Sequence, residues 1–438
     1  MTPALRIGTF DAERWWRPDD LARLPETTAF ASSTRGQVEA MDEVLAGMCA
    51  PGDTLVTRRA MDGELLAALA EAGLRFANHP VAGNATADDV AESFATDPAA
   101  PRLLATHRLD PYAVTSPITA LAHASADRPT HPLPAVADVA RVNSKRWSNE
   151  VVRELGYVGA AEPVNSTTEL ARAVTRVGFP AVVKDPFGVA GGGTLTVASP
   201  GVLRAITRVL DRQVAAGSRV ELLVQRHYAK RHDLSAHGEL GRDGTWRWLG
   251  VCSVHNRGFR FAGAGPADET VAPLEPQLRA VAGEVARRAF AAGYWGPLSI
   301  DAMVLGDGTL LPVLEVNARI SLGRLVLQME RFCADGPGDP ARCHLWQFEL
   351  AARPGTTTGQ LLGALRRDNL LYLADGSAGA GRSARTGCVP LGGVVATPVT
   401  RWHCVLRGVP GQAARLRERV LASLASVGLR QTGSAHVA

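Results

Sequence analysis

The chain has 438 residues, 46% of them apolar, which supports two to four domains with a large core and excludes a globally disordered protein. The net charge of +4 is small for this length and no basic run occurs, which argues against a dedicated nucleic-acid-binding protein. We expect a cytoplasmic protein with reduced thiols: the six cysteines fit no disulfide framework, no apolar run could span a membrane, and the first residues lack a signal peptide's apolar core.

Residues 1–135 alternate short strands with helices. The strands are LRIGTF, TAFAS, LRFANHP and the second half of PGDTLVTRR, and helical spacing of apolar residues covers 37–48 and 62–72, the second with Asp62 as N-cap. This alternation predicts a parallel sheet. No GxGxxG motif opens a helix, so the dinucleotide-binding fingerprint is absent. The proline-rich segment 128–136 reads as a linker.

Residues 136–225 form a second unit. We expect helices to begin at Lys145, after the N-cap Ser166 and at Pro200. The predicted strands are PAVVKDP, TLTVA and VELLVQRHY, with the glycine loop GVAGGG between the first two.

Residues 226–330 read as a mostly antiparallel unit, and residues 331–438 as a less regular extension. The antiparallel unit has strands DLSAHGEL and WRWLGVCSVHN, a glycine-rich loop at 258–266, a long helix at 274–292 and a strand pair around the turn GDG. In the extension we expect helices at 361–369 and 413–426 and loops at 332–343 and 374–386.

Two carboxylates and an amide lie on neighbouring strands of the third unit. SIDAMV carries Asp301 in an apolar strand, and LPVLEVNARISLGR carries Glu315, Asn317 and Arg319 at alternate positions. Alternate residues of a strand share a face, so we expect these three side chains to point the same way, and in a hairpin Asp301 lies beside Glu315. Buried carboxylate and amide oxygens suit a hard cation, so Asp301, Glu315 and Asn317 predict a magnesium site. Acidic residues also occur at strand ends without a metal, but asparagine disfavours strands, which favours the metal.

A lysine and a glycine loop predict a phosphate site. Only three of the 47 basic residues are lysines. One of them, Lys184, ends an apolar strand just before a loop whose glycines can leave backbone N–H groups open to phosphate oxygens. The loop glycines are Gly188, Gly191, Gly192 and Gly193. The loop lacks GK[ST] and leads into a strand, so it is no Walker A motif, and a flexible hairpin tip is the alternative that the lysine disfavours.

These motifs, in this order, resemble the ATP-grasp superfamily of carboxylate–amine ligases over residues 137–325. Lys145 in VNSKRWSNEVVRELG matches the family's first lysine, at the start of a helix, and Lys184 matches the second. The resemblance implies an α/β ATP-grasp fold in four parts. These parts are an α/β pre-ATP-grasp domain at 1–135, a small subdomain at 136–225, a large subdomain with the metal site at 226–330, and a C-terminal extension at 331–438 that would contact substrate.

The resemblance also implies ATP and two Mg²⁺ ions as cofactors. The residues it implies for the nucleotide are Lys145, Lys184, Gly188, Gly191, Gly192, Gly193, Gln225, Arg226, Tyr228 and Asp233. Gln225 stands where the family usually has a glutamate facing adenine, and Asp233 where the family often binds ribose. Asp301, Glu315 and Asn317 match the magnesium ligands. Arg319 matches an arginine that contacts the phosphate or acyl phosphate in several members. In the mechanism that follows, Lys184 would stabilise the α- and β-phosphates, and Arg319 and Arg324 would stabilise the transferring phosphoryl group or the acyl oxygen.

Within the superfamily, VNSKRWSNE, VVKDPFGVAGGG and LEVNARISLGR are most similar to amino-acid and peptide ligases of actinomycete natural-product pathways, of the pheganomycin type. This likeness implies an amide bond formed through an acyl phosphate. The substrates would be a small carboxylate and an amine, as amino acids or peptides, free or bound to a carrier protein, and a homodimer is common among relatives. An ATP-dependent carboxylase acting on a biotin-like nitrogen and a non-catalytic ATP-binding scaffold stay open as alternatives.

Two further groups have two interpretations each. His237, His255, Arg257 and Arg260 flank a glycine-rich stretch and either bind a substrate carboxylate or belong to a solvated loop. Cysteines and histidines between residues 333 and 404 are of the types that hold zinc, but their irregular spacing favours ordinary thiols.

Overall fold

The computed structural model describes residues 2–25, 35–81, 89–124, 132–188, 193–334, 336, 338–374, 386–395 and 399–432. In these ranges the strands form three sheets, which follow one another along the chain. The predicted strand TAFAS and most of the predicted loop at 374–386 lie outside the described residues.

The first sheet is parallel, as the alternation of strands and helices predicts. In the spatial order β3-β2-β1-β4, its strands are β1 (Ala4–Ile7), β2 (Thr54–Thr57), β3 (Ala77–Pro80) and β4 (Arg108–Pro111). The accompanying helices are α1 (Glu13–Trp16), α2 (Arg35–Ala40), a 3-10 helix (Met41–Met48), α3 (Gly63–Glu71), α4 (Val90–Ala95), α5 (Ala100–Thr106) and α6 (Ser116–Ala124). Asp62 caps α3 as predicted, because its side chain accepts hydrogen bonds from the N–H groups of Glu64 and Leu65.

The second sheet is antiparallel and has its own core. In the order β5-β8-β6-β7, its strands are β5 (Glu162–Val164), β6 (Ala181–Lys184), β7 (Thr194–Val197) and β8 (Leu222–Arg226). The helices of this region are α7 (Val136–Asn143), α8 (Lys145–Glu154), α9 (Thr167–Val177) and α10 (Pro200–Ala215). Apolar residues of α9 and α10, including Leu170 and Ile206, are buried against the sheet.

The third sheet is the largest, and all its paired strands are antiparallel. The strands are β9 (Lys230–Leu240), β10 (Trp246–Arg257), β11 (Arg260–Pro266), β12 (Gly296–Leu305), β13 (Leu310–Asn317), β14 (Arg342–Ala352), β15 (Gly387–Pro390), β16 (Val399–Gly408) and β17 (Leu429–Gln431). Their order is β13-β12-β9-β10-β11-β14-β16-β15, with β17 beside β14. The helices are a short 3-10 helix (Ala272–Leu274), α11 (Glu275–Ala291), α12 (Leu322–Cys333), α13 (Thr358–Arg367) and α14 (Ala413–Ser426). Strands from the C-terminal extension therefore enlarge the sheet that carries the predicted metal ligands.

Of two glycine-containing segments predicted as loops, one differs from its prediction and the other agrees with it. The glycine-rich stretch at 258–266 is mostly the strand β11 and not a loop. Its glycines are required by packing, because Gly263 and Gly265 lie under the rings of Trp346 and His344, where a side chain would collide. The prediction at 332–343 agrees with the structure: α12 ends at Cys333, β14 begins at Arg342, and the described residues between them, 334, 336 and 338–341, belong to no helix or strand.

The first and third sheets share one continuous core. Leu45 and Leu65, from helices of the first sheet, belong to the same buried cluster as Leu325 of α12 and Phe348 of β14. This shared core fixes the first sheet against the N-terminal end of α12, next to the predicted metal ligands.

Candidate active site

The two acidic residues meet on a hairpin. Asp301 of β12 lies directly opposite Glu315 of β13, and Ser235 of β9 is the neighbour of Asp301 on its other side. The hydroxyl of Ser235 donates to Asp301 Oδ1 at 2.8 Å, and the amide nitrogen of Asn317 donates to Asp301 Oδ2 at 3.1 Å. The three predicted ligands therefore lie on one face at the edge of the third sheet.

The electrostatics of this cluster suit a cation. Burial, together with the neighbouring charge of Glu315, raises the pKa of Asp301 to about 6. Two carboxylates held this close repel one another until a positive charge joins them, and oxygen ligands are those that Mg²⁺ prefers. Among the residues that the structure describes, no three His, Cys, Asp or Glu side chains converge as a metal site, so the donor set here is two carboxylates and an amide.

Lys145 supplies a positive charge to the cluster. It opens α8, where the side chain of Ser144 caps the helix by accepting from the N–H of Arg146 at 3.1 Å. Its ammonium lies 2.9 Å from Glu315 Oε1 and donates to the carbonyl of Gly188 at 2.6 Å. Lys145 thus joins the third sheet to the glycine loop of the second.

Lys184 lies close to the same carboxylate. It is the last residue of β6, and burial lowers its pKa to about 8, with the negative charge of Glu315 opposing that shift and the positive charge of Lys145 adding to it. Both predicted phosphate lysines and one predicted metal ligand therefore share one region of the molecule.

The base of the glycine loop is closed by Asp185. Its N–H donates to the carbonyl of Gly193 at 2.7 Å, and its carboxylate accepts from the N–H of Phe187 at 2.9 Å. Gly193 has φ +74°, and a Cβ there would lie 2.9 Å from both Asp185 and Gly188, so only glycine fits. Gly191 and Gly192 lie outside the described residues.

The residues predicted for adenosine lie on β8, on β9 and in the connection between them. Gln225 of β8 donates from its side-chain amide to the carbonyl of Gly159. Arg226 is exposed, and Tyr228 is partly buried in the connection to β9. Asp233 of β9 accepts from Lys230 at 2.5 Å and from the amide of Asn256 at 2.8 Å. These residues follow the chain from the second sheet into the third, and Asp233 lies one step from Ser235 on the same face of β9.

Arg319 does not continue the strand that carries Glu315 and Asn317, although the charges of Glu315 and Asp301 act on its guanidinium. β13 ends at Asn317, and Arg319 lies in the bend that follows. Its guanidinium lies 3.2 Å from Glu13 Oε1 and donates to the hydroxyl of Tyr112 at 3.0 Å. Two polar groups of the first sheet's region therefore hold this arginine, and the local sequence carries no signal of them.

Arg324 and His237 lie beyond the metal ligands. Arg324, on the first turn of α12, pairs with Glu239 of β9. His237 lies two residues before Glu239 and is 1% exposed, and its Nδ1 lies 3.1 Å from the hydroxyl of Ser321. Burial and the charge of Arg324 lower the pKa of His237 to about 3, so its imidazole is neutral. On this face of β9, Ser235 contacts Asp301, and Glu239, four residues on, contacts Arg324. His237 lies between these two residues.

The other residues of the histidine–arginine group lie on the β10–β11 hairpin, where Arg257 is opposite Arg260. His255 stacks on Trp346 with ring centroids 5.2 Å apart, and Arg260 lies 3.6 Å from Glu349. Arg257 ends β10 and is partly buried. These residues therefore belong to strands and not to a solvated loop, and their binding of a substrate carboxylate stays a prediction.

A substitution at Gly323 should reveal how closely α12 packs on His237. A Cβ at Gly323 would lie 2.4 Å from Nε2 of His237, so we expect Gly323→Ala to lower the free energy of unfolding by about 1–3 kcal/mol. Denaturant unfolding measures this change. In a His237→Ala background the ring is absent, and the same substitution should cost much less. An equal cost in both backgrounds would contradict the predicted collision.

Comparison with known proteins identifies the fold. No protein-family model and no curated protein matches the sequence. Biotin carboxylase of Campylobacter jejuni, solved as a β-γ-ATP complex, is 12% identical, with a TM-score of 0.56 over 90% of this chain and 90% of that chain. N5-carboxyaminoimidazole ribonucleotide synthetase of Thermus thermophilus is 15% identical, with a TM-score of 0.53 over 92% of this chain and 98% of that chain.

A third similar structure is the biotin carboxylase domain dimer of Hydrogenobacter thermophilus 2-oxoglutarate carboxylase, in complex with MgADP, ADP and bicarbonate. It is 14% identical, with a TM-score of 0.54 over 90% of this chain and 88% of that chain. A mixed α/β protein with a parallel first sheet and a large antiparallel sheet is the class that the structure defines. Its fold is the ATP-grasp fold, as the sequence motifs predict. None of these three structures is a peptide ligase, so they lend no support to that finer resemblance.

Proposed function

We propose that the chain is an ATP-dependent ligase that joins a carboxylate to an amine through an acyl phosphate. The observation that carries this proposal is the meeting of Lys145, Lys184, Asp301 and Glu315 beside the glycine loop. Two ammonium groups and two carboxylates in one place are the charges that a nucleotide phosphate chain and its magnesium require.

Each group then has a role in binding. Lys145 and Lys184 bind the phosphates, with Lys145 exchanging its contact with Glu315 for a phosphate oxygen. Backbone N–H groups of the loop from Gly188 to Gly193, including Gly191 and Gly192, cover the phosphates, and Gln225, Arg226, Tyr228 and Asp233 hold the adenosine. Asp301, Glu315 and Asn317 would hold two Mg²⁺ ions, which would neutralise charge on the phosphoryl oxygens.

The chemistry needs no protein nucleophile. An oxygen of the substrate carboxylate attacks the γ-phosphorus, the bond to the β-phosphate oxygen breaks, and ADP leaves. The amine nitrogen then attacks the acyl carbon, loses a proton and displaces phosphate. Arg319 and Arg324 lie beyond the metal ligands, where they stabilise charge on the transferring phosphoryl group and the acyl oxygen. Holding the reactants in line is the main contribution of the chain.

A carboxylase is the second candidate, favoured by the fold likeness to two biotin carboxylases. In that reaction bicarbonate takes the place of the substrate carboxylate, and a nitrogen of a biotin-like acceptor is carboxylated. The same lysines and carboxylates would serve both reactions, so the residues described above do not separate them.

The finer assignment is a peptide or amino-acid ligase of natural-product biosynthesis, supported by the three motif phrases around Lys145, Lys184 and Glu315. We further propose the four-part division at residues 135, 225 and 330, an acceptor that is free or carrier-bound, and a homodimer. The Hydrogenobacter structure was solved as a dimer. Among the described residues, no helix combines the length and apolar character needed to cross a bilayer.

ADP release with a panel of amino acids and dipeptides tests the proposal. We expect release that depends on both a carboxylate and an amine, together with an amide product detected by mass spectrometry. Turnover that requires bicarbonate and no other carboxylate would favour the carboxylase. Tight ATP binding without turnover under any of these conditions would favour the scaffold.

A further inference from the structure

The short helix α1 is firmly attached to the region of the first sheet. The indole nitrogen of Trp16 donates to the carbonyl of Val114 at 2.9 Å, and that of Trp15 donates to Asp89 Oδ2 at 3.1 Å. Trp16 is 5% exposed. Both tryptophans therefore hold α1 on this region, with Glu13 at the first residue of α1 and Arg17 directly after its last.

At its first residue, α1 reaches the substrate end of the site. Glu13 is 8% exposed, and its carboxylate lies 3.2 Å from Nη2 of Arg319. Within the described residues, the Nε of Arg319 is buried and has no hydrogen-bond acceptor. Glu13 therefore fixes the guanidinium while one of its donors stays free.

Just past its last residue, α1 reaches the base of the glycine loop. Arg17 Nη1 lies 2.6 Å from Asp185 Oδ1, and the two side chains are 8% and 4% exposed. Nη2 of Arg17 also donates to the carbonyls of Leu21 and Ala22, at 3.1 and 2.7 Å. Because Asp185 holds both Phe187 and Gly193, Arg17 holds the residue that closes the loop.

The segment after α1 continues onto the second sheet. The N–H of Ala22 donates to the carbonyl of Arg219 at 2.9 Å, and the N–H of Arg219 donates to the carbonyl of Asp20 at 2.8 Å. Ala22 and Leu24 are buried in the core of the second sheet. The chain between α1 and Leu24 thus ties the region of the first sheet to the unit that carries the glycine loop.

We propose that α1 couples the glycine loop to Arg319, with Glu13 and Arg17 as positioning residues at its two ends. This inference rests on the proposed function, in which the loop covers the phosphates and Arg319 faces the substrate. Both ion pairs are buried, and removing one partner of a buried pair leaves an uncompensated charge that distorts its surroundings. A disturbance at either end of α1 should therefore reach the other end.

Hydrogen exchange of the full chain without nucleotide tests the coupling directly. We expect Arg17→Gln to speed exchange in a peptide covering residues 184–194 by about tenfold, because Asp185 loses its partner. Glu13→Gln, at the far end of α1, should speed exchange in the same peptide by about threefold. Arg17→Lys keeps the charge and should give a smaller change than Arg17→Gln.

Arg219→Gln is the matched control. Arg219 pairs with Asp20 and Glu221 on the same connection, but its side chain is 46% exposed, so the loop peptide should exchange as in the wild type. An unchanged loop peptide in Glu13→Gln, or an equal change in Arg219→Gln, would overturn the coupling.

Calorimetry with magnesium and a non-hydrolysable ATP analogue separates this inference from the proposed function. We expect Arg17→Gln to weaken binding about tenfold and Arg219→Gln to leave it unchanged. A wild-type chain that binds no nucleotide refutes the proposed function, while the exchange result still decides the coupling. A wild-type chain that binds, with Arg17→Gln binding equally well, refutes the inference alone.

Discussion

Glu315→Ala is expected to lower the rate of ADP formation by at least about 100-fold while the chain stays folded. Glu315 is the carboxylate opposite Asp301, and it is also the acidic partner of Lys145 at 2.9 Å. Its removal takes away a predicted magnesium ligand and leaves an ammonium without its counter-charge. The measurement is coupled-enzyme detection of ADP at saturating magnesium and ATP, with circular dichroism to check the fold.

Glu154→Ala is the matched control for that variant. Glu154 ends α8, the helix that Lys145 begins, and pairs with Arg288 on the surface with a side chain that is 58% exposed. It should retain full activity. An active Glu315→Ala variant would remove this residue from the metal site.

Lys184→Met is expected to lose nucleotide affinity and gain stability. The ammonium is partly buried, and burial lowers its pKa to about 8. At neutral pH the folded chain is therefore destabilised by holding this charge away from water. Methionine keeps the length without the charge, and we expect the free energy of unfolding at pH 7 to rise by about 1–3 kcal/mol. Calorimetry with the ATP analogue should meanwhile show binding weakened by at least about tenfold.

The pH dependence of both effects has a defined sign. In the wild type, Lys184 loses its charge as the pH rises through about 8, so affinity for the analogue should fall above that pH. In Lys184→Met this fall should be absent. The stability gain should shrink between pH 8 and the normal lysine pKa, because over that range the folded wild type no longer carries the charge.

Arg176→Met controls for the loss of a cation in the same unit. Arg176 pairs with Glu162 at 2.7 Å but is 65% exposed, so neither stability nor affinity should change by much. Unchanged affinity and an unchanged pH profile in Lys184→Met would exclude this lysine from the phosphate site.

Sequence periodicity and capping located much of the fold. The helix at 413–426 begins and ends where its apolar spacing predicts, and Asp62 and Ser166 cap helices as expected, because these signals are local. β11 escaped prediction because its glycines are explained only by rings from β14, a strand far along the chain. The join of β14 to β11 likewise depends on pairing that local sequence does not encode.

The same contrast between local signals and contacts with distant segments applies to the candidate site. The proximity of Asp301 and Glu315 follows from a hairpin with a short turn, so the sequence predicts it. The surroundings of Arg319 do not follow, since Glu13 and Tyr112 come from the opposite end of the chain and look like ordinary residues in their own segments. Asp185 is marked in the sequence only by a family likeness, and its partner Arg17 carries no motif at all.

The pairing of β14 with β11 has a consequence for how this protein can be altered. Without β14 to β17, β11 would become a free edge with unpaired backbone N–H and C=O groups, the kind of surface that promotes aggregation. Loss of the rings of Trp346 and His344 would also leave the backbone of Gly263 and Gly265 uncovered. The C-terminal segment is therefore a poor candidate for truncation or for exchange between relatives as an independent module. Changes in substrate specificity are better sought in loops, where a substitution leaves the pairing of β11 with β14 intact.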